Sequence, residues 1–259
     1  MPLAHHITPR VVGCAALAWF ALACSCLSSL AEETCKLTPT GTVEVAAVRD
    51  GRTLLLKDGR ELRLAAIEVT EQSRAALEAL AAGQMLRLEK LGPDRDRYGR
   101  VVAFAFPDGA TVSLQHALVA QGAARVSARI EDKRCAAPLL AAEQEARSSR
   151  RGLWADPNFA PLPADDLPRL KAGAGRFALV EGKVLSVHTS GSTIYLNFGR
   201  HWTRDFAVFI PRRLLAGFAA ADTDPRTLEG RKVRVRGFIE ERRGPVIEAE
   251  LPAQIELID

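Results

Sequence analysis

The sequence predicts a mostly β protein with helices, built as two small β-barrels in series. Three observations predict this. Strand-like runs separated by helical stretches fill the first half of the mature chain. A segment rich in proline, alanine and glycine, 155–175, follows them. Five or so further strand-like runs, with one short helical stretch, occupy the last 85 or so residues.

In the first half, TVEVAAVRD (42–50), RTLLLKD (52–58) and ELRLAAI (61–67) read as strands. The second and third meet at Asp58-Gly59, a hairpin pair in which glycine accepts a positive φ. EQSRAALEALAAG (71–83) predicts an alanine-rich helix ended by glycine. QMLRLEKL (84–91) alternates as a strand, DRDRYGR (94–100) is a charged turn, and VVAFAF (101–106) is another strand. VSLQHALVAQG (112–122) predicts a short helix. CAAPLLAAEQEARSSR (135–150) predicts a longer one, whose C-terminal arginines suit the helix dipole. Three strands, a helix, two strands and two helices predict a five-stranded OB-type barrel carrying helices.

ADPNFAPLPADDLPRLKAGAG (155–175) reads as a linker. Beyond it, FALVEGKVLSVHTSGSTIYLNFG, DFAVFI and KVRVRGFIEERRGPVIEAELPAQIELI supply the strands of a second, OB-like barrel. The short helix falls near 212–218. Within IYLNFGRHWTRDF (194–206), Ile194, Leu196 and Phe198 share one strand face and read as core. Tyr195, Trp202 and Phe206, with Arg200 and Arg204, are candidates for a single-strand-binding face, with core packing the commoner fate of such aromatics. Arg234 and Arg236 share one strand face and read as a modest basic stripe or a solvated surface. His116, His188 and His201 have no evident partners and are given no role.

The first 31 residues read as an export signal: Arg10, the apolar run 11–22, and Ser29-Leu30-Ala31 as a small-residue cleavage site. The apolar run is short for a bilayer span. A periplasmic or secreted location follows, with a lipoprotein signal at Cys24 or Cys26 the weaker alternative. The predicted organisation is a signal over 1–31, a first barrel over 32–155, a linker over 156–175 and a second barrel over 176–259. Export leaves Cys35 and Cys135, an even pair that reads as one disulfide in an oxidising compartment. The formal charge of +4, or +3 without Arg10, is too small to argue nucleic-acid binding from charge alone.

An ordered set of motifs covers 42–154: DGRT (50–53), RLAAIEVTE (63–71), DRYGR (96–100), DGATVSLQHALVAQGAARV (108–126) and LLAAEQEARSSRRGLW (139–154). Together they resemble the staphylococcal nuclease (thermonuclease) family. The resemblance implies a nuclease-type OB barrel and hydrolysis of DNA or RNA phosphodiesters. Arg63 and Arg100 fall at the two phosphate-binding arginines. Glu71 falls at the catalytic glutamate. Glu68 falls at one Ca²⁺-ligand position, and Val69 where a backbone carbonyl completes the set.

Two positions depart from the pattern. The second Ca²⁺ carboxylate belongs after DG, and that position is Arg52. This exchanges a negative for a positive charge beside a divalent site, leaving Asp50 as the weak local substitute. Charges about 4 Å apart interact by about 4 kcal/mol at an effective dielectric of 20. The sequence therefore predicts a Ca²⁺ site short of one carboxylate, with Arg52 paired to Glu68 or Glu71. The two tyrosines that line the family's nucleotide pocket align with Ala128 and Ile130, so that stacking platform is missing.

Three function classes remain open. The first is an exported nuclease. The second is a phosphate- or nucleic-acid-binding module without the metal. The third is an envelope protein whose barrels serve protein contacts.

Overall fold

A computed structural model describes residues 35–92 and 95–258. The predicted export signal lies outside the described residues. Along the chain follow β1 (Thr38–Asp50), β2 (Thr53–Leu56), β3 (Glu61–Leu64), β4 (Ile67–Val69), α1 (Ser73–Ala81), β5 (Met85–Lys90) and β6 (Val101–Pro107). Five of these strands close a barrel in the order β1-β2-β3-β6-β5. Only β3 and β6 run parallel. Closure rests on the length of β1, whose residues 38–44 pair with β5 and whose residues 45–50 pair with β2.

Alternation fixes the faces of these strands. Leu54 and Leu56, Leu62 and Leu64, and Leu86 and Leu88 point inward and are buried. Each such leucine contributes about 1.5–3 kcal/mol. Arg63, between Leu62 and Leu64, necessarily points out of the barrel.

The predicted strand over 61–67 is broken. Ala66 takes φ 68°, and the chain restarts as β4. Its partner is β7 (Ala124–Val126), reached through α2 (Leu114–Ala120). At three residues, β7 is too short for periodicity to reveal. α3 (Lys133–Ser148) follows, its N-terminus capped by the Asp132 carboxylate. The Cys35–Cys135 disulfide is formed, closing a loop of sequence separation 100.

The segment predicted as a linker is instead built into the fold. It contains β8 (Leu162–Pro163) and α4 (Leu167–Ala172). Its few apolar side chains explain this, because Leu162, Ala164 and Leu170 enter the second core. Then come β9 (Phe177–Lys183), β10 (Ser186–Ser190), β11 (Thr193–Asn197), β12 (Ala207–Pro211), α5 (Leu215–Ala220), β13 (Lys232–Glu241), β14 (Pro245–Glu248) and β15 (Ile255–Leu257).

These strands form one sheet in the order β10-β11-β12-β14-β13-β9-β8, with β15 also paired to β13. β9 and β10 are separated only by Val184 and Leu185. Taken as halves of one bent strand, they repeat the first barrel's pairings. The first half meets β13, the second half meets β11, and β12 runs parallel to β14.

The described residues fall in one compact unit, and the junction between the barrel and the large sheet explains why. Trp154 packs with Phe177 and Leu179. Arg234 and Arg236 do not form a basic stripe or a solvated face: both are buried. Their strand face is covered by the first half of the molecule, which periodicity within β13 cannot report. Arg236 donates to the Glu143 carboxylate of α3 at 2.7 Å, to the Val126 carbonyl at 2.9 Å, and to Glu256. Arg234 donates to Glu181 at 2.7 Å. Burial opposes the charge on Arg236, but the carboxylates of Glu143 and Glu256 more than offset it and raise its pKa.

Candidate functional site

The site forms where the β1–β2 turn rests on the start of α1. Gly51 makes this approach possible. A Cβ there would lie 2.6 Å from the Ser73 Cβ and 3.2 Å from the Thr70 carbonyl oxygen. Ser73 fixes the other side of the contact. Its hydroxyl accepts the Thr70 N–H at 2.9 Å and donates to the Ala123 carbonyl at 2.6 Å.

This packing aims Arg52 inward. Its guanidinium donates to Glu68 Oε2 at 2.7 Å and to the Ile67 carbonyl at 3.3 Å. The two side chains are 20% and 13% exposed, so water screens the pair only partly. Asp50 turns the other way. It is exposed, and its carboxylate accepts the Arg52 backbone N–H at 2.8 Å in a local turn.

Arg63 reaches the same space from β3. It is half-buried and makes no hydrogen bond or ion pair with another described residue. Burial lowers its pKa, and the nearby Arg52 and Arg100 guanidinium groups lower it further. Arg100 is held apart in a fork on Asp96, with Nε 2.8 Å and Nη2 2.7 Å from Oδ2. It also lies over the exposed ring of Tyr98, 5.1 Å from the centroid. Burial would raise the Asp96 pKa. Hydrogen bonds from Arg100 and from the Tyr98 N–H outweigh this and hold the carboxyl below its usual range.

The structure thus brings Arg52, Arg63 and Glu68 together, with Arg100 near enough to act on Arg63 electrostatically. It does not add Glu71 to this group. Glu71 is exposed in the turn before α1. Val69 lies in β4 opposite Ala124.

Arg52, Arg63 and Glu68 line a cavity of about 610 Å³ whose far wall comes from the second sheet, through Phe177, Phe238, Glu240, Glu248 and Glu250. Ile130 lines it too, whereas Ala128 is wholly buried. Arg129, another lining residue, donates to Glu250 at 3.0 Å across the cavity. Sequence reasoning missed this second wall and Arg129. Their only sequence signals were an exposed-type Phe238 and a glutamate-rich β14 region, neither of which names its partner.

These residues do not fit a Ca²⁺ ion. Calcium requires six to eight oxygen ligands. Glu68 is committed to Arg52, Asp50 to a backbone turn, and Glu71 stands apart. Among the described residues, no group of three or more His, Cys, Asp or Glu side chains could hold a cation. The group here able to bind an anion is Arg63, whose guanidinium donors are unpaired; the charge of Arg52 is taken up by Glu68.

Comparison with known proteins bears on this geometry. Residues 60–156 match the family described as staphylococcal nuclease homologue. The chain is also 32% identical, over 130 residues, to an uncharacterized endonuclease of Escherichia coli. That alignment covers 46% of this chain and 79% of the relative. The matched region contains Arg63, Glu68, Glu71 and Arg100, and it ends where the second half of the fold begins. On these grounds the chain belongs to the staphylococcal nuclease homologue family.

Proposed function

We propose that this protein binds the phosphodiester backbone of nucleic acid at Arg63 and holds no catalytic Ca²⁺ at Glu68. One observation carries the reading. The Arg52 guanidinium is paired with Glu68 at 2.7 Å, beside the unpaired Arg63. A guanidinium can clamp phosphate oxygens. It cannot coordinate a water molecule and lower its pKa as a metal does.

The finer organisation belongs to the same proposal. The second half, whose strand pairings repeat those of the first, acts as an added OB-type barrel that walls the arginine site. The protein works outside the cytoplasm. The Cys35–Cys135 disulfide and the export-type N-terminal sequence support that location.

Hydrolysis is the second reading, favoured by the Escherichia coli relative, which is named an endonuclease. In it, Glu71 takes a proton from the attacking water while Arg63 and Arg100 hold the phosphate.

The test is binding and cleavage of labelled DNA by the chain without its first 31 residues. Ca²⁺, Mg²⁺, Mn²⁺ and a chelator are compared, beside Arg63→Ala, Glu71→Ala and Arg52→Asp. Binding that Arg63→Ala weakens about tenfold or more, with no metal-dependent cleavage, supports the proposal. Metal-dependent cleavage that disappears in Glu71→Ala overturns it in favour of hydrolysis.

A further inference from the structure

The second sheet carries a set of aromatic and cationic side chains that the Arg63 site does not use. In β10, β11 and β12, Ile194, Leu196, Val208 and Ile210 face the core and are buried. The alternate positions face outward. There His188, Tyr195 and Phe209 lie directly opposite one another across the three strands. Ring centroids are 6.5 Å apart for His188–Tyr195 and 4.7 Å for Tyr195–Phe209. The Arg242 guanidinium stacks 4.7 Å over the Phe209 ring.

The β11–β12 loop extends this row. Its tip is Trp202, 69% exposed. The loop is tightly built. Asp205 Oδ2 accepts the His201 N–H at 2.8 Å, and the Arg204 and Asp205 N–H groups both donate to the His201 carbonyl at 2.9 Å. The β13–β14 turn sits directly against it. A Cβ on Gly244 would lie 2.7 Å from the Arg204 carbonyl atoms. The indole is therefore held out in water by an ordered scaffold.

The β11–β12 loop and the end of β12 are rich in arginine, while Glu248 lies opposite Phe209 and Glu229 accepts the Val187 N–H. Residues 186–213 contain four arginines, at 200, 204, 212 and 213, against the single carboxylate of Asp205. Arg200 and Arg243 are exposed and make no ion pair with another described residue. Arg242 pairs with both Glu240 and Glu248, at 3.1 and 3.0 Å, which leaves this trio with one negative charge.

From this juxtaposition we propose that the outward face of β10–β12, with Trp202, is a binding surface for single-stranded nucleic acid. Bases stack on Trp202 and on Tyr195, which Phe209 braces from the side, while Arg200, Arg204 and Arg243 meet the phosphates. The strand order agrees with this. In an OB-type barrel the face of the second and third strands is where oligonucleotides lie, and the open sheet here repeats those pairings. Here β11 and β12 hold those places. A duplex keeps its bases stacked on one another and offers these rings nothing, so the surface selects single strands. The surface is independent of the Arg63 site and does not require that site to bind.

The experiment is fluorescence anisotropy of labelled oligo(dT) and of a duplex of equal length. The proteins are the wild type, Trp202→Ala, Arg200→Ala/Arg243→Ala and Arg63→Ala, all without residues 1–31. All three sets of side chains are exposed or half-buried, and circular dichroism checks the fold. Trp202→Ala should weaken oligo(dT) binding about tenfold, the value of one base stacked on one ring, and leave duplex binding unchanged. Removing two arginines should lower the slope of log Kd against log salt by about 1.4. Arg63→Ala should leave at least the Trp202-dependent part intact. Oligo(dT) binding that is absent, that matches duplex binding, or that survives Trp202→Ala unchanged overturns the proposal.

Discussion

Replacing Arg236 with methionine tests whether the two halves are locked by charge. Arg236 is fully buried in β13, and its carboxylate partner Glu143, in α3, is 1% exposed. Methionine retains much of the apolar stem but removes the guanidinium. Glu256 keeps Arg234 at 3.6 Å. Glu143 keeps only the Val126 N–H, at 2.7 Å. A buried carboxylate that loses its counter-charge costs about 3–5 kcal/mol. With a urea m-value of about 3 kcal/mol per M, the unfolding midpoint should fall by about 1–2 M.

The variant should also show a pH signature. An unpaired buried Glu143 has a folded pKa raised above the unfolded value of about 4.3. Stability is then regained as pH falls through that raised value, so the loss should be larger at pH 8 than at pH 5. Adding Glu143→Gln, which keeps an acceptor for Val126 and carries no charge, should recover much of the loss. A loss below about 1 kcal/mol, or one independent of pH, would show that Glu143 does not depend on Arg236. The cavity wall would then be held by apolar contacts alone.

Three further outcomes follow from the structure. Gly51→Ala should lower stability by about 1–3 kcal/mol, as overpacking does, because its Cβ would meet Ser73 at 2.6 Å; a thermal melt measures this. Cys35→Ser/Cys135→Ser should lose about 2–5 kcal/mol, and a thiol reductant should affect the wild type to the same extent and leave the variant unchanged. Asp58, Asp96, Asp132 and Asp224 all have pKa values held below 3.8 by arginine and backbone hydrogen bonds. Groups with depressed folded pKa values stabilise above the unfolded carboxylate pKa and cease to do so as pH falls through the folded value. Acid titration should therefore leave stability flat down to about pH 4 and reduce it below. Asp132→Asn should blunt that loss.

Much of the first half was legible in the sequence. The leucine alternation at 54–56, 62–64 and 86–88 placed three barrel strands, and Asp58-Gly59 placed a hairpin. The motifs named Arg52, Arg63 and Glu68 together, and the structure brings these three to one cavity. The charge at position 52 predicted that this arginine would meet a carboxylate, as it does at Glu68. These features are local or depend on residues a few positions apart, where period and turn chemistry suffice.

What only the tertiary structure decided lies between distant segments. Nothing in 155–175 shows that Leu162 and Leu170 are core residues, because proline, glycine and alanine dominate its composition. Nothing in β13 shows that Arg236 is buried against Glu143, 93 positions away. A strand's period says which residues share a face but not whether another domain covers it. For the same reason, the sequence could offer Tyr195, Trp202 and Phe206 only as a group. Packing then buried Phe206 and left Trp202 in water, because strand parity fixed the first and a loop braced by Asp205 fixed the second.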